Sequence, residues 1–119
     1  MRMSVITSQE SRFMAYAKGS PEQIRDRSIP NSVPADFAAR MTSFAQQGLR
    51  VIALARKPLD VSDSEEALLL SREEIECDLE FLGLFILCNQ LKNDTMNSIK
   101  LLQNGSVESV MATGDNEYT

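Results

Sequence analysis

Histidine is absent from this sequence of 119 residues. Without it the chain cannot build a Ser-His-Asp or Cys-His catalytic set, or a metal site with imidazole ligands. Its two cysteines, Cys77 and Cys88, are eleven residues apart and form no CxxC pair. We therefore predict reduced thiols in a cytosolic setting rather than a disulfide, with Cys88 as a small core residue.

Long apolar runs are also missing. The longest is FLGLFILC, residues 81–88, whereas a helix needs about 20 apolar residues to span a bilayer. This run is predicted to be a buried strand. The opening residues, MRMSVITSQE, lack the apolar core of a signal peptide. The chain as given is predicted to be soluble, although it could form the cytosolic part of a membrane protein.

An excess of positive charge is absent as well. The formal net charge is -5, with 43% hydrophobic and 24% charged residues. This composition is typical of a globular chain, and its length suits about one domain. General nucleic-acid binding needs many cations to neutralise phosphates, so no nucleic-acid partner is predicted. Nucleotide binding stays open, because one or two local cations suffice for it.

Apolar periodicity and turn residues indicate an α+β chain with a hairpin at its start. Gly48 is predicted to close a helix, and three leucines, 68–70, to anchor a short helix in an acidic loop. In chain order, strands are predicted over 2–8, 12–18, 49–59, 79–89 and 106–112, and helices within 19–28, 35–48, 60–78 and 94–105. The pattern changes at 89–92, so we place a boundary there.

The stretch MAYAKGSPEQI puts Lys18 and Gly19 between a predicted strand and a short helix. Ser20 suits the N-cap of that helix and Pro21 its first position. Helix N-termini attract anions, so Lys18 could stand at the mouth of a nucleotide pocket. An ordinary strand-to-helix turn with a solvated lysine explains the same residues. Arg50, at the entrance of the next strand, is likewise either a ligand contact or a surface residue.

A second candidate is Thr113-Gly114-Asp115, which directly follows a predicted strand. A hydroxyl, a glycine N–H and a carboxylate in that position suit a phosphoryl group and its Mg²⁺ surroundings. The tripeptide is weak evidence by itself, since many turns have this composition. The sequence contains no Walker A, GxSxG or GxGxxG motif.

Six segments, taken in order, resemble the cytosolic part of a P-type ATPase, specifically the fifth subclass associated with polyamine and organelle cation transport. They are RMSVI, YAKGSPE, GLRVIALA, DLEFLGLFI, NQLKNDT and VMATGDN. The resemblance implies that residues 1–88 form the C-terminal half of a nucleotide-binding (N) domain, an antiparallel sheet with flanking helices. It also implies that 89–92 are a hinge and that 93–119 begin the second segment of a HAD-like phosphorylation (P) domain.

The resemblance also implies roles for single residues. Lys18 and Gly19 would line the adenosine pocket, with Met3 near the adenine, and Arg50 would reach the phosphates of ATP. Lys92 would be the cation of the hinge. Thr113, Gly114 and Asp115 would lie beside the transferred phosphate. ATP and Mg²⁺ are the cofactors expected of the whole pump, which would pass through an aspartyl-phosphate and have its cytosolic domains at the face of a membrane.

Departures from the family pattern limit these expectations. The sequence contains neither DKTGT, with its phosphorylated aspartate, nor GDGxND. The aromatic residue that stacks on adenine lies before RMSV in the family. We therefore expect an ATP-binding fragment without turnover, working with the other cytosolic and transmembrane domains, and dimerising through 93–119. One alternative stays open, namely a non-catalytic interaction module. A small phosphatase-like enzyme that uses Asp115 is disfavoured, because that chemistry needs a nucleophilic aspartate with a second aspartate nearby and GDN supplies one carboxylate.

Overall fold

The computed structural model describes residues 2–9, 12–88 and 90–112. Within these ranges one antiparallel sheet has four strands in the order β1-β2-β3-β4. The strands are β1 (Arg2–Gln9), β2 (Arg12–Gly19), β3 (Arg50–Leu59) and β4 (Glu80–Leu87). The helices are α1 (Pro21–Arg25), α2 (Phe37–Gln46), α3 (Ser64–Leu69), α4 (Arg72–Ile75) and α5 (Thr95–Asn104), with a 3₁₀ turn at Pro30–Ser32. The predicted antiparallel sheet with flanking helices is therefore confirmed.

One face of the sheet carries the core. Alternation along β2 turns Phe13, Ala15 and Ala17 inward, as the sequence pattern predicts. Small alanines on β2 and β3 let α1 approach closely, and its Ile24 is completely buried against them. Burial of a side chain of this size stabilises the fold by about 1.5–3 kcal/mol. Farther along the same face, Phe37 of α2 meets Phe81 of β4 edge to face, with ring centroids 5.8 Å apart.

The opposite face of the sheet is largely open among the described residues. Met3, Val5, Tyr16, Leu54 and Phe85 are each more than a third exposed. The strand predicted over 79–89 is present as β4, but the prediction that it is buried is wrong. This strand lies at the edge of the sheet and has one uncovered face, so several of its apolar side chains reach solvent.

Two smaller predictions are also wrong. Leu68 and Leu69 of α3 are about 85% exposed, and the residue that anchors this helix is Ala67. Cys88 is exposed rather than a core residue, because it follows the last residue of the edge strand β4. Both cysteines are free thiols in this structure.

The end of the chain departs most from expectation. Helix α5 forms as predicted, but none of its residues is buried. The strand predicted over 106–112 is absent, since residues 107–112 have no regular structure and are exposed. A strand needs a neighbour with which to pair, and this segment pairs with none of the four strands of the described sheet. The division into 1–88, 89–92 and 93–119, and the assignment of the last part to a P domain, stay predictions.

Candidate nucleotide-binding site

Four residues singled out from the sequence line one cavity of about 520 Å³ at an end of the sheet. They are Met3, Lys18, Gly19 and Arg50. The other lining residues are Arg2, Ser20, Val51, Ile52, Leu87 and Cys88. A cavity of this size lies within the range of sites for small molecules and cofactors.

Strand register explains why these residues meet. Met3 on β1 stands directly opposite Lys18 on β2, and Lys18 stands opposite Leu54 on β3. Directly paired residues of an antiparallel sheet project from the same face. Arg50 precedes Leu54 by four residues, an even number, so it projects from that face too. The backbone positions of Lys18 and Arg50 are separated by roughly 13 Å along the strand direction, at about 3.4 Å per residue.

Electrostatics favour an anion in this cavity. Three of its described lining residues are basic, namely Arg2, Lys18 and Arg50, and none is acidic. Arg2 is neutralised by Glu76, whereas Lys18 and Arg50 form no ion pair within the described ranges. The whole chain has a net charge of -5, so the cavity differs in sign from the chain around it.

The turn from β2 to α1 closes one side of the cavity. Gly19 and Ser20 occupy it, and Gly19 pairs with both Arg2 and Ala53. Ser20 stands at the N-cap of α1 as predicted, but its side chain makes no capping hydrogen bond. Helix α1 has only five residues, so the charge of the cavity comes from its side chains rather than from a helix dipole.

A second, smaller cavity of about 240 Å³ adjoins the first on the open face of the sheet. Met3 and Lys18 border both cavities. The remaining lining residues of the smaller one are apolar except for the hydroxyl of Tyr16. Together the two cavities offer an apolar surface near Met3 and free positive charge toward Arg50.

A buried carboxylate supports the wall of the cavity formed by β1. Glu76, at the end of α4, is 3% exposed and accepts hydrogen bonds from Arg2 Nε, Ser4 Oγ and Arg72 Nε. Burial raises the pKa of Glu76, but the three hydrogen bonds to the charged carboxylate outweigh burial, so its pKa lies below the ordinary range. Sequence reasoning missed this residue, because nothing in the pattern of α4 signals a partner some 70 positions earlier.

The remaining predicted site residues do not join this cavity. Lys92 is exposed before α5 and is not among the lining residues. Thr113, Gly114 and Asp115 lie outside the described residues. Arg2 and Cys88 were also missed, although their positions beside Met3 and at the end of a strand could have suggested them.

Comparison with known proteins identifies the family. Residues 1–94 match the family model described as "P-type ATPase, cytoplasmic domain N". The chain is 42% identical over 123 residues to the probable cation-transporting ATPase catp-6 of Caenorhabditis elegans, with 99% of the chain aligned. The chain belongs to the P-type ATPases.

The relatives of this P-type ATPase chain fall in the fifth subclass, as the resemblance implied. It is 42% identical to the human polyamine-transporting ATPase 13A2 over 121 residues, and 42% identical to the human probable cation-transporting ATPase 13A5 over 120 residues. Each alignment covers 99% of the chain. The chain spans about a tenth of the length of these curated relatives. No helix of its described part has the length and apolarity needed to cross a membrane.

Proposed function

We propose that the cavity between β1, β2 and β3 binds ATP, with Lys18 and Met3 at the adenosine and Arg50 toward the phosphates. The observation that carries this proposal is that Lys18 and Arg50, which form no ion pair within the described ranges, line one cavity that has no acidic lining residue, in an acidic chain. Ammonium and guanidinium groups form strong charge-assisted contacts with phosphate oxygens. The separation of Lys18 and Arg50 along the sheet suits two ends of one elongated ligand.

Affinity should be low for this chain alone. None of the described residues lining the larger cavity is aromatic. A stack between a base and an aromatic ring contributes about 1–3 kcal/mol in nucleic-acid complexes, so its absence weakens binding by roughly one to two powers of ten. We expect a dissociation constant in the millimolar range.

Mg²⁺ is not assigned to this cavity. No three Cys, Asp or Glu side chains of the described part come close enough together to hold a metal ion. The charged lining residues are cations, and the described lining contains no carboxylate, which is the protein ligand that Mg²⁺ prefers. Any Mg²⁺ that accompanies ATP would therefore be carried by the phosphates and not by the residues of this cleft.

In the larger protein, we propose that this chain is the ATP-binding part of a membrane pump for cations or polyamines. The family and the names of the relatives support this placement. ATP hydrolysis in such a pump would proceed through an aspartyl-phosphate on another segment. The chain would then lie at the cytosolic face of a membrane, with the remaining cytosolic and transmembrane domains as its partners.

The two free cysteines provide a direct test of nucleotide binding. Cys88 is exposed and lines the cavity, whereas Cys77 lies outside it. Several millimolar ATP should slow the alkylation of Cys88 by a maleimide and leave Cys77 unaffected. Lys18→Ala should abolish this protection, while Lys100→Ala, which removes the same charge from α5, should keep it. Equal alkylation rates of Cys88 with and without ATP would refute the proposal.

A second candidate function is an interaction module that keeps the fold without the ligand. The exposed apolar residues on the open face of the sheet favour it. The same experiment separates the two functions, because an interaction module leaves Cys88 unprotected by ATP at any concentration. Helix α5, within the segment 93–119, offers a second surface for association, since its apolar residues Met96 and Leu101 are exposed.

A further inference from the structure

We infer that Glu76 is a positioning residue of the larger cavity. It fixes the start of β1 so that Met3 faces the bound nucleotide. This inference rests on the proposed binding of ATP. Glu76 does not line the cavity, so its effect on a ligand must pass through the residues that it holds.

The geometry of β1 provides the first argument. Arg2 and Ser4 lie on either side of Met3, and both donate hydrogen bonds to the same carboxylate. Successive side chains of a strand point to opposite faces. Two bonds to Glu76 on one face therefore orient Met3 toward the other face, where the cavity lies.

The backbone of β1 is held by the same cluster. Arg72 donates to Glu76 Oε1 at 2.9 Å and to the carbonyl oxygen of Arg2 at 3.0 Å. Among the described strands, β1 pairs only with β2 and lies at the edge of the sheet. An edge strand has one ladder instead of two, so side-chain contacts contribute more to holding its first residues in place.

Charge provides the second argument. Arg2 lines the cavity and would be a third free cation there if it were unpaired. Glu76 holds its guanidinium on the far side of β1, which leaves Lys18 and Arg50 as the groups free to meet an anion. The carboxylate thus determines which cations of the cleft are available as well as the position of Met3.

The test compares Glu76→Gln with Glu80→Gln in the full 119-residue chain. Glu80 forms an exposed ion pair with Arg56 away from the cavity and serves as the matched control. The chain has six methionines, so ¹³C-methyl labelling gives six signals, and the Met3 signal is assigned with Met3→Leu. ATP titrations are followed at a temperature at which circular dichroism shows every variant fully folded.

In the wild-type chain and in Glu80→Gln, ATP should shift the Met3 methyl signal to the same extent. In Glu76→Gln this signal should already be displaced without ATP, and its ATP-induced shift should fall by at least half, because Met3 is no longer held facing the ligand. A purely structural role would lower stability and leave both Met3 readouts unchanged, which would overturn the inference.

The outcomes also separate this inference from the proposed function. If the wild-type chain binds no ATP, the proposed function fails and the inference fails with it. If wild type binds ATP and both Met3 readouts are unchanged in Glu76→Gln, only the inference fails. If Glu76→Gln does not fold, Ser4→Ala is used in its place. Ser4→Ala removes one neutral hydrogen-bond donor to Glu76, and Ser4 does not line the cavity. That variant should show the same changes at smaller size, and wild-type behaviour would overturn the inference.

Discussion

Met3 and Lys18 are direct partners across the β1–β2 ladder, although they are fifteen positions apart in the chain. This pairing places a polarizable thioether and an ammonium group side by side at the mouth of both cavities. This pair can thus provide a base with an apolar contact from Met3 and its polar edge with a cation from Lys18. The predictions for ligand binding start from this pair and from its distance to Arg50.

A series of ligands should separate the roles of Lys18 and Arg50. Lys18→Ala should weaken the binding of adenosine and of ATP to the same extent, because Lys18 borders the end of the cavity assigned to the adenosine. Arg50→Ala should weaken the binding of ATP by about tenfold, which corresponds to a loss of roughly 1.4 kcal/mol, and should change the affinity for adenosine little. NMR titration of both variants with adenosine, AMP and ATP provides the measurement. An equal loss for all three ligands in Arg50→Ala would contradict the assignment of Arg50 to the phosphates.

Stability should fall at acid pH through Glu76. The pKa of this carboxyl group is lowered in the folded chain, since hydrogen bonds from Arg2, Arg72 and Ser4 outweigh the effect of burial. In the unfolded chain its pKa is about 4.3. Its contribution is therefore fully present above that pH and is lost as the pH falls through the lower folded pKa.

Replacement of Glu76 tests this linkage. Glu76→Gln should lower the free energy of unfolding at pH 7 by about 1–3 kcal/mol, because a buried charged acceptor is lost. It should also flatten the dependence on pH below about 4.3. Urea denaturation at several pH values measures both effects. The pKa values of Glu74 and Glu80 are lowered as well, so Glu80→Gln serves as the control, with a smaller change expected for its exposed ion pair.

Gly83 should resist substitution for reasons of backbone conformation alone. Its φ is +154°, which side-chain-bearing residues rarely adopt, yet a Cβ added there would meet no atom within 4 Å. Gly83→Ala should lower the free energy of unfolding by about 1–3 kcal/mol. Gly105→Ala is the control, since its new Cβ would lie at an ordinary 3.4 Å from the Leu102 carbonyl oxygen. Equal thermal midpoints for the two variants would disprove the strain at Gly83.

Helix α5 should be less protected against amide hydrogen exchange than the core strand β3. None of its residues is buried, whereas β3 contains the completely buried Ala53. Amide hydrogens of 95–104 should therefore exchange faster than those of 50–55 in dilute solution. If residues 93–119 mediate dimerisation, exchange over 95–104 should slow as the protein concentration rises. Equal protection of both segments in a dilute monomer would show that α5 is packed.

ATP turnover is not expected from this chain. Its sequence lacks DKTGT, the motif that carries the phosphorylated aspartate in the family. Incubation with ATP and Mg²⁺ should release no phosphate above the buffer rate. Steady release that Asp115→Asn abolishes would contradict this prediction and would favour the phosphatase-like alternative.

The sequence by itself determined most of the strands and helices of this protein. Alternation along 12–18 predicted β2, and the helical stripe ending at Gly48 predicted α2, whose following glycine has φ +67°. These signals are local, because the alternation of side chains along a strand, the period of a helix and the preferences of turn residues each depend on residues within a few positions of one another. The motifs also led to the family, and they named four residues that the structure brings to one cavity.

The tertiary structure alone decided which faces are covered and which side chains meet. The apolar run 81–88 could not indicate that β4 is an edge strand with an open face. The strand predicted over 106–112 failed because strands depend on a partner, and partners come from distant parts of the chain. Glu76 is the clearest case, since its bonds to Arg2 and Ser4 join residues more than 70 positions apart. Local patterns carry no information on such contacts, because they arise only when the sheet has assembled.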